Sequence, residues 1–400
     1  MPGPSITWDV IDDCSDLSSW AYTHAAQPNI SENEDPAYII NGDKSFYFQA
    51  DANGSSPVAY IEKAIVHTFK QDDRIGIIMH SPNRPEGTTS GFQAFGGTSS
   101  PYGGNKWRAD FGSGSTIGSE IQGWQLHPLE FGNTTVDGAS SPTIALDYAS
   151  MRLRIQAHTT LPRDFYIDSV VRWRSRPTVI FQFDDGDETS YTEGFAYTNA
   201  AGIPLTHMLS HTLIGGSGYV TVQQALEMVA AGDEIGVHGS GTNAWQVSPS
   251  QIVTDAAAIR DLLGVEARHG AYPNGAYGRL EGTYQAVQAK CAEANLLSCR
   301  TVEKALLCPG AFSPYTLPVG VNLSSSVSLA QAKTAIDRAV KLGLTIIVTG
   351  HILEVSAGAD TWAIADWQAL IDYVVTLRDK GLVDTKNISE WWRGDTRPAA

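Results

Sequence analysis

TVIFQFDDGDETSY, residues 178–191, decides how this chain is read. Its first six residues form an apolar run interrupted only by Gln182, the pattern of a buried strand. The run ends in Asp184 and Asp185. Two adjacent carboxylates at a buried strand end repel each other, and burial penalises their charge. A cation is the natural remedy. Neighbouring side chains on a strand point apart, so one acid can hold a metal while the other faces a substrate. The bland alternative is a helix N-cap for the segment that starts near Asp187.

The same texture continues downstream of Arg176-Pro177. Apolar runs alternate with helix patterns: IPLTHMLSH (203–211), EIGVH (234–238), ARHGAY (267–272), LLSCRTV (296–302), TLPVGVN (316–322) and LTIIVTG (344–350). Between them lie helix patterns at 220–232, 247–264, 328–343 and 362–381. The second has Ser248 as N-cap, Pro249 at the first helical position and Gln251 to complete a capping box. All four patterns close on a glycine, which suits a left-handed cap. Seven strands alternating with helices predict a parallel α/β barrel, complete or incomplete, over 176–400.

Upstream, residues 1–175 read as an all-β sandwich. Short runs such as SFYFQA, VAYIEKAIV, RIGIIMH, TIALDY, RLRIQA and FYIDSVVRW are separated by Gly, Ser, Asn and Pro. Ser90–Gly118 reads as loops with a strand or two. A chain of 400 residues fits two such domains.

The formal net charge of −16 excludes the basic footprint that nucleic-acid binding requires. It also argues against an anionic membrane surface, and no apolar run is long enough to span a bilayer. Cys14, Cys291, Cys299 and Cys308 show no Cys-x-x-Cys spacing, so they read as buried free thiols, with Cys299–Cys308 the pairing to consider. The opening MPGPSITWDVIDD has neither the basic start nor the apolar core of a signal peptide. A removed signal, or release by lysis as a virion component, would both lead to an extracellular protein.

In a parallel barrel the working residues gather where strands run out into the loops that follow. Asp184 and Asp185 follow TVIFQF, His238 ends EIGVH, Tyr272, Pro273 and Asn274 end ARHGAY, and His351 follows LTIIVTG. Four strands thus bring polar groups to one mouth. A lone His at a strand end is more often a hydrogen bonder than a ligand. His238 gains weight from the acid pair, and His351 as a group that moves protons near neutral pH.

Residues 178–381, about half the chain, resemble the catalytic domain of the polysaccharide deacetylases, carbohydrate esterase family 4. FQFDDGDETSY matches the Thr-Phe-Asp-Asp-Gly motif with Gln182 for Thr. AAGDEIGVHGSGTN matches Gly-x-Glu-Ile-Gly-x-His, HGAYPNGAYG the Ala-Tyr-Pro-x-Gly form of the third motif, and IIVTGHIL the final hydrophobic-His motif. The resemblance implies a distorted (β/α) barrel that uses a divalent metal, zinc by preference, to remove O- or N-linked acetyl groups from an acetylated polysaccharide. It implies Asp184 as general base, Asp185 and His238 as metal ligands, the N–H near Asn274 in the oxyanion site, and His351 as general acid. Arg300 resembles an arginine that orients the base in some members.

The sequence also departs from the family. Thr242, followed by Asn243, stands where the second histidine belongs, so the third ligand is left open among Thr242, Asn243, His211 and water. His207 and His211 lie four apart on one strand face, where packing or hydrogen bonding within the barrel is the competing role. Ala271 replaces the third motif's arginine, and the Asp-and-Trp fourth motif is not evident. Trp245, seven residues past His238, is the tryptophan best placed to stack on a sugar, with core packing as its alternative. The opening DVIDDCSDLSSW resembles the first strand of jelly-roll carbohydrate-binding modules. The front domain is expected to bind glycan, brace the barrel or mediate homo-oligomerisation. Two other functions compete: a glycan-binding protein with a degenerate barrel, and an amidohydrolase acting on a non-sugar amide.

Overall fold

A computed structural model of the chain divides into two compact units, Ile6–Arg174 and Ser175–Ala400. It describes residues 7–22, 28–50, 58–68, 74–82, 92–99, 103–111, 123–129, 135–136, 147–156, 163–241, 244–278, 282–356, 358 and 360–394.

The first unit contains two six-stranded antiparallel sheets. One runs in the order Pro28–Asn33, Ser45–Ala50, Arg163–Trp173, Arg74–Ser81, Gly123–Pro128, and Trp8–Asp12 also pairs with Arg163–Trp173. The other runs Thr135–Val136, Gly103–Phe111, Phe92–Ser99, Asp147–Gln156, Val58–Thr68, Ala21–Tyr22. Alternation sends Phe46, Phe48, Phe165 and Ile167 of the first sheet into one core with Ile61 and Leu153 of the second. The Gly/Ser-rich stretch supplies two of these strands, Phe92–Ser99 and Gly103–Phe111. Residues 143–146 of the expected strand TIALDY lie outside the described residues, and the strand there begins at Asp147.

In the second unit the strands are β1 (Thr178–Asp185), β2 (Leu205–Leu209), β3 (Glu234–His238), β4 (His269–Ala271), β5 (Ser298–Lys304), β6 (Leu317–Val319), β7 (Val321–Asn322) and β8 (Ile346–Gly350). Their order is β6-β5-β4-β3-β2-β1-β8-β7, parallel throughout. β6 and β7 are two halves of one stretch that pairs with β5 on one side and β8 on the other, so the sheet nearly closes into a barrel. Gly320 separates the halves. A Cβ there would come within 2.2 Å of Ile346 Cγ1, so only glycine lets the stretch pass this close.

Helices α1 (Ala196–Ala200), α2 (Val222–Ala230), α3 (Gln251–Leu263), α4 (Tyr284–Glu293), α5 (Leu329–Leu342), α6 (Ile364–Asp379) and α7 (Ile388–Arg393) belong to this unit. Capping boxes start α2 (Thr221 with Gln224) and α5 (Ser328 with Gln331). The box expected at Ser248 does not form. The Gln251 amide donates instead to Asp255 Oδ1 at 2.9 Å, and the helix begins at Gln251 with no side-chain cap.

β1 shows how the barrel is filled. Val179, Phe181 and Phe183 belong to the core that includes Trp367 and Leu370 of α6. Ile180 belongs to a separate cluster with Leu317, Ile347, Trp391 and Trp392. Gln182 and Asp184 share the face of Ile180, which carries Asp184 toward the barrel interior at the strand's C-terminal end.

Candidate active site

Asp184 is 4% exposed, and an unpaired carboxylate that deep would be costly. Arg300 on β5 removes the difficulty. Its Nη2 donates to both carboxylate oxygens of Asp184, at 2.5 Å for Oδ1, and the guanidinium is itself buried. Burial pushes the Asp184 carboxyl up, but Arg300, then His238 and His351, more than reverse this and leave it below its ordinary 3.8. Asp184 is therefore a carboxylate at neutral pH. The geometry also accounts for Ala271. Arg300 is its register partner on the neighbouring strand, so a guanidinium reaches the acid from β5 where β4 offers only a methyl group.

Asp185 adopts φ +68°, a conformation that non-glycine residues rarely accept. The twist turns its half-exposed carboxylate away from Asp184 and toward β3, where Oδ1 lies 3.4 Å from His238 Nε2. His238 Nδ1 sits 2.8 Å from the Ala271 carbonyl, which can only accept, so in the neutral form of the ring Nδ1 carries the proton and Nε2 the lone pair. This is the orientation a metal-ligating imidazole takes. The separation also fits: donors roughly 2.1 Å from one cation at the tetrahedral angle lie roughly 3.4 Å apart. Two donors thus suit a divalent cation. Among the described residues no group of three His, Cys, Asp or Glu side chains completes the set.

His351, just past β8, is half-buried, with Nε2 3.7 Å from Asp184 Oδ2. Asn274 is exposed in a turn with φ +53°. Gly275 N and Ala276 N donate to Tyr272 O and Pro273 O, and no hydrogen bond among the described residues takes the Asn274 N–H. Gly275 is required here, because a Cβ would meet Val302 Cγ2 at 2.4 Å.

Several expected site residues lie elsewhere. The Tyr272 ring is 1% exposed and its hydroxyl donates to Tyr315 O, so it packs in the core and cannot touch substrate. Trp245 is fully buried, with Nε1 donating to Asp255 Oδ2 at 2.7 Å, which rules out stacking on a sugar. Thr242 and Asn243 lie outside the described residues. His211 sits with Nδ1 3.4 Å from Asp255 Oδ1, so it joins that acid and not the Asp185–His238 pair. His207 is buried against Asp233 at 2.9 Å. The four cysteines are free, and the thiol nearest Cys299 is that of Cys291, at 3.4 Å.

Asp255 is the group sequence reasoning missed. It is fully buried on α3 and gathers Trp245, Gln251 and His211 around one carboxylate. A signal existed: Asp255 falls on the apolar stripe of Ile252, Ala256 and Ile259, where an acid needs partners.

Residues 173–289 match the sequence profile of the polysaccharide deacetylase family. No curated protein matches. Among solved structures, the Streptococcus pyogenes deacetylase PplD in complex with acetate is 19% identical, with a TM-score of 0.31 over 35% of this chain and 62% of that one. The chain thus spans less than two thirds of that protein. The Xyl-CE4 domain of a multidomain xylanase from the hindgut metagenome of Trinervitermes trinervoides is 16% identical, with a TM-score of 0.38 over 55% of this chain and 91% of that one. A family 4 carbohydrate esterase from Streptomyces lividans in complex with acetate is 15% identical, with a TM-score of 0.36 over 56% and 98%. Residues 173–289, under a third of the chain, are thus similar to a polysaccharide deacetylase domain.

Proposed function

We propose that the barrel hydrolyses acetyl groups from an extracellular polysaccharide at the mouth formed by Asp184, Asp185, His238, Asn274 and His351. The observation that carries this reading is the ionised Asp184, fixed by Arg300 and facing His351 at 3.7 Å. Asp185 and His238 are the residues that would hold a divalent cation, zinc by preference, which would supply Lewis-acid polarisation of the acyl carbonyl and of a water. Asp184 takes the proton from the attacking water. Arg300 keeps the carboxylate ionised and oriented until then, which makes it a positioning residue. The Asn274 N–H, exposed at the turn, receives the oxyanion of the tetrahedral intermediate. His351 returns a proton to the sugar oxygen or nitrogen as acetate leaves. An alkoxide leaves more readily than an amine anion, so a mouth with few metal donors favours O-acetyl substrates.

The test is acetate release from acetylated xylan and from an N-acetylglucosamine oligomer, together with elemental analysis of the purified protein. Asp184→Asn is expected to abolish turnover and keep the metal, whereas His238→Ala is expected to lose both. Unchanged turnover in Asp184→Asn would show that another group is the base. Wild-type protein with no metal and no acetate release would sink the proposal.

A further inference from the structure

The last turn of α4 brings one cysteine against another. Cys291 lies one turn after Val287, and both face the core. Past the helix the chain turns at Asn295, which adopts φ +57°, and the Leu296 N–H donates to the Cys291 carbonyl at 3.0 Å. The chain then enters β5, where alternation sends Arg300 into the barrel and Cys299 outward into the same core as Cys291. The two sulfurs lie 3.4 Å apart, eight positions apart in sequence, and neither side chain is exposed. Gly270, the register partner of Cys299 on β4, leaves the space: a Cβ there would lie 3.1 Å from Cys299 Sγ. The Tyr272 hydroxyl lies 3.5 Å from Cys291 Sγ.

No deacetylation step uses this pair, and the other two thiols are set apart from it. Cys308 donates to the Pro309 carbonyl at 3.6 Å, and Cys14 belongs to the core of the first unit. A disulfide needs its sulfurs about 2.0 Å apart, so the gap to close is about 1.4 Å, which turning the two Cα–Cβ bonds can supply. The two thiols also differ in acidity. A hydrogen bond from Cys299 holds the Cys291 thiol below its ordinary 9.0 against the effect of burial, whereas burial pushes the Cys299 thiol well up. Cys291 is therefore the first to form a thiolate.

We propose that Cys291 and Cys299 form a reversible disulfide that ties the end of α4 to the strand carrying Arg300. The oxidant is a small-molecule disulfide such as oxidised glutathione. The Cys291 thiolate attacks one of its sulfurs and expels a thiolate. Cys299, as its thiolate, then attacks the Cys291 sulfur of the mixed disulfide and expels the second. Two thiols are thus oxidised to one disulfide, the oxidant is reduced to two thiols, and the two protons go to the expelled sulfurs. Both sulfurs are buried, so oxidation waits for the last turn of α4 to open, as helix ends do. The closed bond restricts the unfolded chain, which makes the oxidised protein the more stable form. No acetyl chemistry enters this step, so it stands whatever the barrel hydrolyses.

Full-length protein is incubated without denaturant in oxidised glutathione, then unfolded, alkylated with iodoacetamide and digested with trypsin. Cleavage after Lys290 and Arg300 leaves both cysteines in one peptide, CAEANLLSCR. That peptide is expected to carry no alkyl group and to be two hydrogens lighter than its reduced form. Dithiothreitol before alkylation should restore two alkylated thiols. The oxidised protein should melt about 5 °C above the reduced one. Cys291→Ala and Cys299→Ala should each show no such gain, and the wild-type peptide decides the outcome even where a variant fails to fold. Both thiols alkylated in the oxidised wild type, a glutathione adduct that never closes, a bond from either cysteine to Cys308, or oxidised protein that melts no higher than reduced would each overturn the proposal. So would closure seen only after unfolding in guanidinium, since the native fold would then not bring the sulfurs together.

Discussion

The two ends of the barrel carry the same residue types and put them to opposite uses. At the N-terminal end, Glu234 opens β3 and His269 opens β4, with Oε1 and Nε2 3.8 Å apart. Ser389, in α7, donates its N–H and its hydroxyl to Glu234, and Ser298 Oγ lies 2.7 Å from His269 Nδ1. Trp391 and Trp392 of the same helix pack against Ile180 and Ile347 beneath. With water excluded, burial dominates: the Glu234 carboxyl is pushed up to about 7 and the His269 imidazole down to about 3. His269 is therefore neutral near pH 7, and Glu234 is protonated below about pH 7. At the C-terminal end, Arg300 fixes the charge on Asp184, while Asp185 and His351 keep contact with solvent. An acid beside a histidine is thus not a site by itself. What separates closure from chemistry is a retained charge and an open path to it.

The largest effects are expected at the open end. Asp184→Asn should lower acetate release about a thousandfold, the range of general-base removal, and should also lower the melting temperature, because it leaves the buried Arg300 guanidinium without its counter-charge. A variant that keeps more than a tenth of the activity would erase the contrast between the two ends. Arg300→Met should be nearly as severe, because it strands a buried carboxylate. A loss of about 3–5 kcal/mol in denaturant unfolding is expected.

Arg300→Met also has a readout that general damage does not share. In the wild type the Asp184 carboxyl lies below 3.8, so the stability it contributes is present above the unfolded value and lost only as pH falls through the lower, folded one. Its protonation therefore cannot limit turnover above about pH 4. Without the guanidinium, burial takes over and the carboxyl rises, so the acid limb of the pH–rate profile should move upward. A profile that only scales down would assign Arg300 to folding alone.

The closed end should show the reverse pattern. The Glu234 carboxyl lies above its unfolded value of 4.5, so its contribution is complete below 4.5 and lost as pH rises through about 7. Over that window the wild type should lose about 3 kcal/mol. Glu234→Gln should remove this slope and leave acetate release unchanged. Equal slopes in the two proteins, or lost activity, would mean that the ends are not separate. The smallest effect is expected for Tyr272→Phe, which deletes one buried hydrogen bond to Tyr315 O for about 1 kcal/mol. Its turnover should be unchanged, and a large fall would return the ring to the mouth.

Much of the barrel was legible because period and punctuation agree there. Each run read as a strand from 178 to 350 contains a strand of the sheet, since short apolar runs between capped helices have few other ways to bury themselves. Asp184, Asp185, His238 and His351 could be placed because strand ends of a parallel barrel share one rim. The errors involve side chains whose fate depends on distant neighbours. Trp245 and Tyr272 sit beside site residues in the chain, yet Asp255 and Tyr315 draw them into the core. His211 turns to the same Asp255, an acid 44 positions downstream.

The alternation of strands and helices, the acid pair at the end of β1 and the histidines at the ends of β3 and β8 can all be read along the chain, because each is a local property of pattern and spacing. That Arg300 compensates Asp184 from a strand 116 residues away emerges from the fold alone. So does the Asp185 backbone at φ +68°, which faces His238. The physical reason is the same in both cases. Charge compensation and the facing of side chains are fixed by register between strands distant in sequence, and register follows from how the whole sheet packs.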